Sequence, residues 1–184
     1  MRILGIDPGS RFTGWGLVER EGNRTHYLAS GTLRLDPAQP LAQRLVQLSA
    51  GLERLLAEHR PDVCALEQIF TAKNARSALV LGHARGVILC ALAARGLTTH
   101  EYTPAQVKQA VVGQGRASKH QMQQMVALLL GRRGTAGGTA SGSRAGPLQE
   151  DEADALAVAL THAAAARGLR IAPAEAAPRR RLAP

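Results

Sequence analysis

The amino-terminal stretch MRILGIDPGSRFTGWGLVER, residues 1–20, shows how the sheet of this protein begins. Residues 2–7 form an apolar run that predicts a buried strand, and the run ends in the carboxylate of Asp7. The following Pro-Gly pair favours a tight turn, and residues 13–18 predict an antiparallel partner strand. A carboxylate beside a buried strand is costly unless it is paired, hydrogen-bonded or bound to a cation. Asp7 is therefore either a turn residue or the first ligand of a metal site.

The rest of the chain alternates strands with helices. The patterns predict further strands at 27–35, 63–66 and 98–102, and helices at 40–59, 75–94, 104–112, 118–130 and 150–166. A hairpin followed by helical crossovers predicts an α/β fold, with a mixed five-stranded sheet and helices on both faces. We expect one domain over residues 1–168, in which 131–147 is a flexible Gly-rich loop, followed by a disordered basic tail at 169–184.

The charge of the chain favours a polyanionic partner. Lys and Arg number 23 against 14 Asp and Glu, a formal net charge of +9. Basic side chains are often simply solvated, but an excess of this size is typical of proteins that bind nucleic acid.

The cysteines and the apolar runs bear on the cellular compartment. Cys64 and Cys90 lie in apolar surroundings without metal-ligand spacing, which predicts two core residues in a reducing environment. We expect no signal peptide before the first strand and no apolar run long enough to cross a bilayer. These features predict a cytoplasmic protein that does not use a membrane.

Four carboxylates fall at three places that the predicted sheet would bring together. Asp7 ends the first strand and Glu67 follows the strand at 63–66, so parallel neighbours would place both at one sheet edge. Asp151 and Asp154 are three apart and share a face of the last helix. Such a group repels itself unless a hard divalent cation neutralises it, and two Mg²⁺ ions roughly 3.5–4 Å apart can hydrolyse a phosphodiester. Each acid singly also suits a turn, a solvated strand end or a helix dipole.

Four segments together resemble the RuvC family of Holliday junction resolvases, bacterial nucleases with an RNase H-like fold. The matching segments are GIDPGSRFTGWG (5–16), LEQIFTAKNARSALVLGHARG (66–86), EYTPAQVKQAVVGQGRASKHQMQQMV (101–126) and DEADALAVALTH (151–162). The resemblance covers the chain to about residue 166. It implies an endonuclease that binds four-way DNA junctions and resolves them, in recombination and repair, by paired symmetric nicks in two strands of like polarity.

The resemblance also implies residue roles. The catalytic acids, which would ligate two Mg²⁺ ions or substituting Mn²⁺, are Asp7, Glu67, Asp151 and Asp154. Phe70 would stack on a base near the cleavage point, although its ring could instead pack under its own loop. Lys108 and Lys119 would lie near the scissile phosphate, although both also suit a solvated helix surface. Plausible contacts to the DNA backbone are Lys73, Arg76, Arg85 and Arg116.

Small residues recur along the helix at 75–94. They are Ala75, Ala78, Gly82 and Gly86. They permit close packing onto the sheet of the same chain or close approach of a second copy. The resemblance implies the second arrangement, a homodimer through this helix, and also implies work with the RuvA–RuvB branch-migration complex.

Two other functions share parts of these patterns. An ATPase of the actin and sugar-kinase type begins with a similar glycine-rich hairpin, but it needs a second related domain and about twice this length. A junction-binding protein without activity would not need the acid set, and a nicking assay with Mg²⁺ separates it from a nuclease. His120 and His162 have no spaced partner and are not expected to bind metal.

Overall fold

A computed structural model of the chain describes residues 1–68, 75–115, 117–132 and 148–166. Within these ranges the strands are β1 (Arg2–Asp7), β2 (Phe12–Glu21), β3 (Arg24–Arg34), β4 (Val63–Glu67) and β5 (Thr98–Tyr102). The helices are α1 (Leu41–His59), α2 (Ala75–Ala94), α3 (Pro104–Val112), α4 (Lys119–Leu129) and α5 (Glu150–Ala165). Each element occurs where the sequence predicts it, and the chief differences are that β2 ends three residues later than predicted, at Glu21, and that β3 begins three residues earlier, at Arg24.

The strands form one mixed sheet in the order β3-β2-β1-β4-β5. The hairpin strands β1, β2 and β3 pair antiparallel, whereas β4 and β5 join β1 in parallel. Parallel neighbours need long crossovers, which α1 and α2 provide. The parallel register pairs Ile6 with Leu66, so β1 and β4 end side by side.

The two faces of the sheet bury different helices because alternate residues of a strand point to opposite sides. Leu4 and Ile6 of β1 pack in a cluster with α1 and α2. Ile3 of the same strand packs in a second cluster with α3, α4 and α5. The predicted arrangement, with helices on both faces, is confirmed.

Helices α3 and α4 both begin in capping boxes, which satisfy backbone N–H groups of the first turn. Thr103 Oγ1 accepts from the Gln106 N–H at 3.1 Å, and the Gln106 side chain accepts from the Thr103 N–H at 2.8 Å. Ser118 and Gln121 repeat the arrangement at 3.3 Å and 2.8 Å, so the predicted cap at Ser118 is confirmed. The caps determine where α3 and α4 begin, and so where Lys108 of α3 and Lys119 of α4 lie on these helices.

The two cysteines differ in burial. Cys64 lies in the core, as expected, but Cys90 is exposed, so that prediction is wrong. The apolar neighbours of Cys90 in sequence point in other directions around α2. Ile88, for example, is fully buried and lies two residues, about 200° of helical rotation, from Cys90.

Helix α2 turns its small residues outward. A Cβ added at Gly82 or Gly86 would meet nothing within 4 Å, and Ala75 and Ala78 are exposed. Leu79 beside them is 65% exposed. The alternative that this stripe packs onto the sheet of its own chain is therefore wrong.

Among the described helices, α2 is the one that is long and apolar enough, by length and composition, to cross a membrane. Its mean hydropathy is 1.7. The expectation that no run meets this test is wrong, because alanine, leucine and valine dominate the helix. A helix that packs one face inside a protein passes the same test, and α2 packs against α1 and β5.

Candidate active site

The four predicted acids come from three elements that meet at one sheet edge. Asp7 is the last residue of β1 and Glu67 is the last residue of β4. Because Ile6 pairs with Leu66, the two carboxylates leave the sheet side by side. Helix α5 packs on β1 and β2 and carries the other two acids near its N-terminus.

Glycines of the first hairpin allow α5 to lie this close. Gly14 of β2 is paired with Asp7, and a Cβ added at Gly14 would lie 2.0 Å from the Asp151 carbonyl oxygen. A Cβ at Gly5 would likewise lie 2.0 Å from the carbonyl oxygen of Ala155. Only residues without a side chain permit such contact between a strand and a helix backbone. The glycine spacing in GIDPGSRFTGWG was the available signal for this contact, and it was not interpreted from sequence.

The carboxylates interact electrostatically. Burial raises the pKa of Asp7 well above its ordinary value, and the charges of Glu67, Asp154 and Asp151 raise it further. Burial and the charge of Asp154 raise the pKa of Glu67 to about 7. Burial also raises the pKa of Asp154, to which Glu150 and Asp151 add. The charged forms are thus destabilised in the protein without a cation.

Two predicted lysines reach the same site. Lys108 of α3 and Lys119 of α4 lower the pKa values of Glu67 and Asp154, in opposition to burial. Lys119 also forms an ion pair with Glu150, the first residue of α5, and this hydrogen bond is the main cause of its raised pKa. The positive charges therefore lie beside the acids and partly balance them.

The donor set suits a hard divalent cation. The predicted ligands offer only carboxylate oxygens, and they remain partly exposed, which leaves space for water and phosphate oxygens. Within the described ranges, no three His, Cys, Asp or Glu side chains are already grouped closely enough to hold a metal ion. The acids thus lie within electrostatic reach of one another without forming a closed ligand shell.

The two histidines take part in other contacts. The imidazole of His162 is buried, shares a 2.7 Å hydrogen bond with the Tyr102 hydroxyl and stacks on His100 at 4.4 Å. His120 shares a 2.8 Å hydrogen bond with Gln124. That neither histidine binds metal stays a prediction.

Of the predicted DNA contacts on α2 and in the neighbouring loops, Arg76 is exposed in the first turn of α2. Phe70, Lys73 and Arg116 lie outside the described residues. Arg85 does not fit its expected role, because its guanidinium turns inward. It donates to the Glu67 carbonyl oxygen and pairs with Glu101.

A series of side-chain hydrogen bonds also joins the first turn of α5 to strand β3. Ser30 Oγ donates to Glu152 Oε2 at 3.2 Å, and the Tyr27 hydroxyl lies 3.1 Å from Ser30 Oγ. These groups join β3 to the first turn of α5. No local pattern identifies them, since they are 122 residues apart in the chain.

Comparison with known proteins identifies the family. A family model described as crossover junction endodeoxyribonuclease RuvC matches residues 3–162. The RuvC protein of Bordetella avium is 51% identical over 163 residues, which are 89% of this chain and 83% of that protein. The RuvC protein of Citrifermentans bemidjiense is 48% identical, over 89% of this chain and 92% of its own length.

A solved structure agrees in both fold and sequence. The structure described as T. thermophilus RuvC in complex with Holliday junction substrate superposes with a TM-score of 0.78 and is 34% identical. The match covers 91% of this chain and 95% of that one. The mixed sheet is accordingly the expected RNase H-like fold, and the chain belongs to the RuvC family of crossover junction endodeoxyribonucleases.

Proposed function

We propose that Asp7, Glu67, Asp151 and Asp154 hold two Mg²⁺ ions, for which Mn²⁺ can substitute, and that this site makes paired symmetric nicks in a four-way DNA junction. As a RuvC family member the chain is a metal-dependent nuclease that resolves Holliday junctions. The observation that carries the proposed site is the meeting of three partly buried, mutually repelling carboxylates, Asp7, Glu67 and Asp154, at one sheet edge of a chain with net charge +9.

The chain's own residues have distinct tasks in this reaction. Bound divalent cations supply the activation of a water and the stabilisation of the leaving 3′ oxygen. The four carboxylates hold and orient these ions, and Glu67 also orients the attacking water. Lys108 and Lys119 stabilise the negative charge that develops on the phosphate.

DNA contacts extend outward from this edge. Arg76 is exposed at the start of α2, which allows it to contact a phosphate. Phe70, Lys73 and Arg116 are proposed as contacts from the family resemblance alone. Stacking of the Phe70 ring on an exposed base would contribute about 1–3 kcal/mol.

The proposed assembly is a homodimer formed by α2. The outward stripe of small residues supports it, since it allows two helix backbones to approach closely, and the exposed Leu79 offers apolar surface that a second copy would bury. A two-fold dimer also provides two active sites for two symmetric nicks. Action with the RuvA–RuvB complex and a cytoplasmic location are proposed from the family resemblance.

A nicking assay on a synthetic four-way junction tests the function. We expect paired nicks with Mg²⁺ or Mn²⁺ and none with EDTA, on a junction but not on a linear duplex of the same sequence. Binding without nicks in all three conditions would favour the inactive junction-binding protein. The family match over residues 3–162 excludes the actin-like ATPase.

A further inference from the structure

We propose that Arg85 is a positioning residue, which holds the end of β4 so that Glu67 lies correctly for cleavage. The proposal rests on the proposed role of Glu67 as an active-site acid. It concerns the backbone under that acid, whereas the carboxylate itself is the part that contacts metal and substrate.

The guanidinium of Arg85 makes two directed contacts. Nη1 donates to the backbone carbonyl oxygen of Glu67 at 3.0 Å. Nη2 forms an ion pair with Glu101 Oε1 at 2.6 Å. The Arg85 side chain is only 18% exposed, so it offers little surface to DNA. Its fork of donors is therefore committed inside the protein.

The acceptor Glu101 is itself held in place. The Gln68 side-chain amide approaches Glu101 Oε2 at 3.4 Å, and the Gln68 backbone N–H donates to the Tyr102 carbonyl oxygen at 2.8 Å. Arg85 belongs to α2, Glu67 ends β4 and Glu101 belongs to β5. The Arg85 side chain thus joins three elements at the backbone of Glu67, the proposed metal ligand itself.

The position along the sheet explains why a brace is useful. The pairing of β4 with β1 ends at Leu66, so Glu67 has no further partner on that side. Misplacement of a reacting group by about 1 Å can cost 10²-fold in rate. A guanidinium can bridge two acceptors in fixed geometry, whereas a lysine ammonium is a point charge on a flexible stem.

The matched control is the ion pair of Arg95 with Glu53. It also joins an arginine, in the turn directly after α2, to a glutamate on another element, α1, with Nε and Oε2 3.0 Å apart. Its side chains are more exposed, at 42% each, and it does not contact any of the four acids. Loss of this pair reports the effect of removing an Arg–Glu contact alone.

The experiment compares Arg85→Gln, Arg85→Lys and Arg95→Gln with the parent protein. We measure junction affinity without divalent cations, single-turnover cleavage of pre-bound junction, Mn²⁺ affinity by calorimetry, and Tm. Both Arg85 variants should bind the junction like the parent but cleave it about 10- to 100-fold more slowly and bind Mn²⁺ more weakly, as is usual when support behind a metal ligand is lost. Arg85→Lys keeps the charge pair with Glu101 and should keep most of the Tm, which separates positioning from stability.

When the parent protein cuts junctions, three outcomes overturn the proposal. Parental cleavage rates in both Arg85 variants would show that the brace is not needed. Weaker metal-free binding with an unchanged single-turnover rate would make Arg85 a DNA contact. A rate loss in Arg95→Gln equal to that in Arg85→Lys would reduce the effect to general stability. If the parent does not cut junctions, the proposed function fails instead, and equal Mn²⁺ affinity of the parent and Arg85→Lys then rejects the brace.

Discussion

Helices α5 and α2 are both rich in alanine, yet the structure places them very differently. Ten of the 16 residues of α5 are buried, because it lies against β1 and β2 and is covered by α3 and α4. Only four of the 20 residues of α2 are buried, on the side that faces α1 and the sheet. One helix is a central part of the fold, and the other presents an apolar face to solvent.

The difference separates two kinds of function. The first two turns of α5 bring Asp151 and Asp154 to Asp7, so its packing and the chemistry of the site depend on each other. The outward face of α2 contributes nothing to that packing, which leaves it available for a second copy of the chain. Substitutions in α5, or in the β1 and β2 residues on which it packs, should therefore damage each active site. Substitutions on the outward face of α2 should instead weaken the proposed dimer, which brings two active sites together.

The largest effect is expected when one of the proposed active-site carboxylates is removed. Asp7→Asn and Asp154→Asn should each slow junction cleavage by roughly 10³-fold, because loss of a metal ligand removes about 4 kcal/mol of transition-state stabilisation. Junction binding should stay nearly intact, since it rests on the basic surface. Quantitative nicking and gel-shift assays measure both, and Glu58→Gln on the exposed part of α1 is the control. Normal cleavage in either variant would reject the site.

A charge on the free face of α2 should break the dimer without breaking the fold. Leu79→Glu should weaken self-association by about 2–4 kcal/mol, roughly 30- to 1000-fold, since a carboxylate would be desolvated between two helices. Analytical ultracentrifugation measures the change. Val46→Glu, on the exposed side of α1, alters an equally exposed apolar residue elsewhere and should leave the assembly unchanged. Equal effects of the two substitutions would remove α2 from the interface.

Adding a methyl group at a glycine compares the contact between β2 and α5 with the exposed face of α2. Gly14→Ala should destabilise the fold by about 1–3 kcal/mol and slow cleavage, because the new Cβ collides with the Asp151 backbone. Gly82→Ala meets no neighbour within its own chain and should stabilise α2 of the single chain by up to about 1 kcal/mol. Denaturant unfolding measures both. A Gly14→Ala protein with parental stability and activity would show that α5 docks differently.

The smallest effect concerns pH and metal. Glu67 has a folded-state pKa of about 7 against 4.5 ordinarily, so the folded state binds more protons than the unfolded state between these values. Stability of the metal-free protein should therefore fall as pH rises through this window. Mg²⁺ should raise Tm by a few degrees at pH 8 and much less at pH 5. Glu67→Gln should flatten this part of the profile in EDTA, and an unchanged slope would contradict the assignment.

Much of this arrangement could be predicted from sequence because its signals are local. Apolar periodicity placed the strands and helices, and the Ser118 cap was recognisable from its neighbours. The ends of two apolar runs located Asp7 and Glu67, and the i, i+3 spacing placed Asp151 and Asp154 on one helix face. Segment-long motifs then identified the family, which the comparisons confirm.

Other features could not be predicted because they depend on the direction of a side chain within the assembled fold. Nothing near Arg85 in sequence shows that its guanidinium turns toward Glu67 rather than toward DNA, since Glu101 lies on another strand. The burial of Cys64 and the exposure of Cys90 likewise follow from which face each element turns inward.

The amino-acid sequence by itself determined the elements, the candidate acids and the family, because hydrophobic period, turn residues and motif order act over short distances. Only the tertiary structure decided that Gly14 lets α5 bring Asp151 to Asp7, that Arg85 braces Glu67, and that the small residues of α2 face outward. These contacts join residues distant in the chain, and their geometry arises only when the sheet and helices pack together.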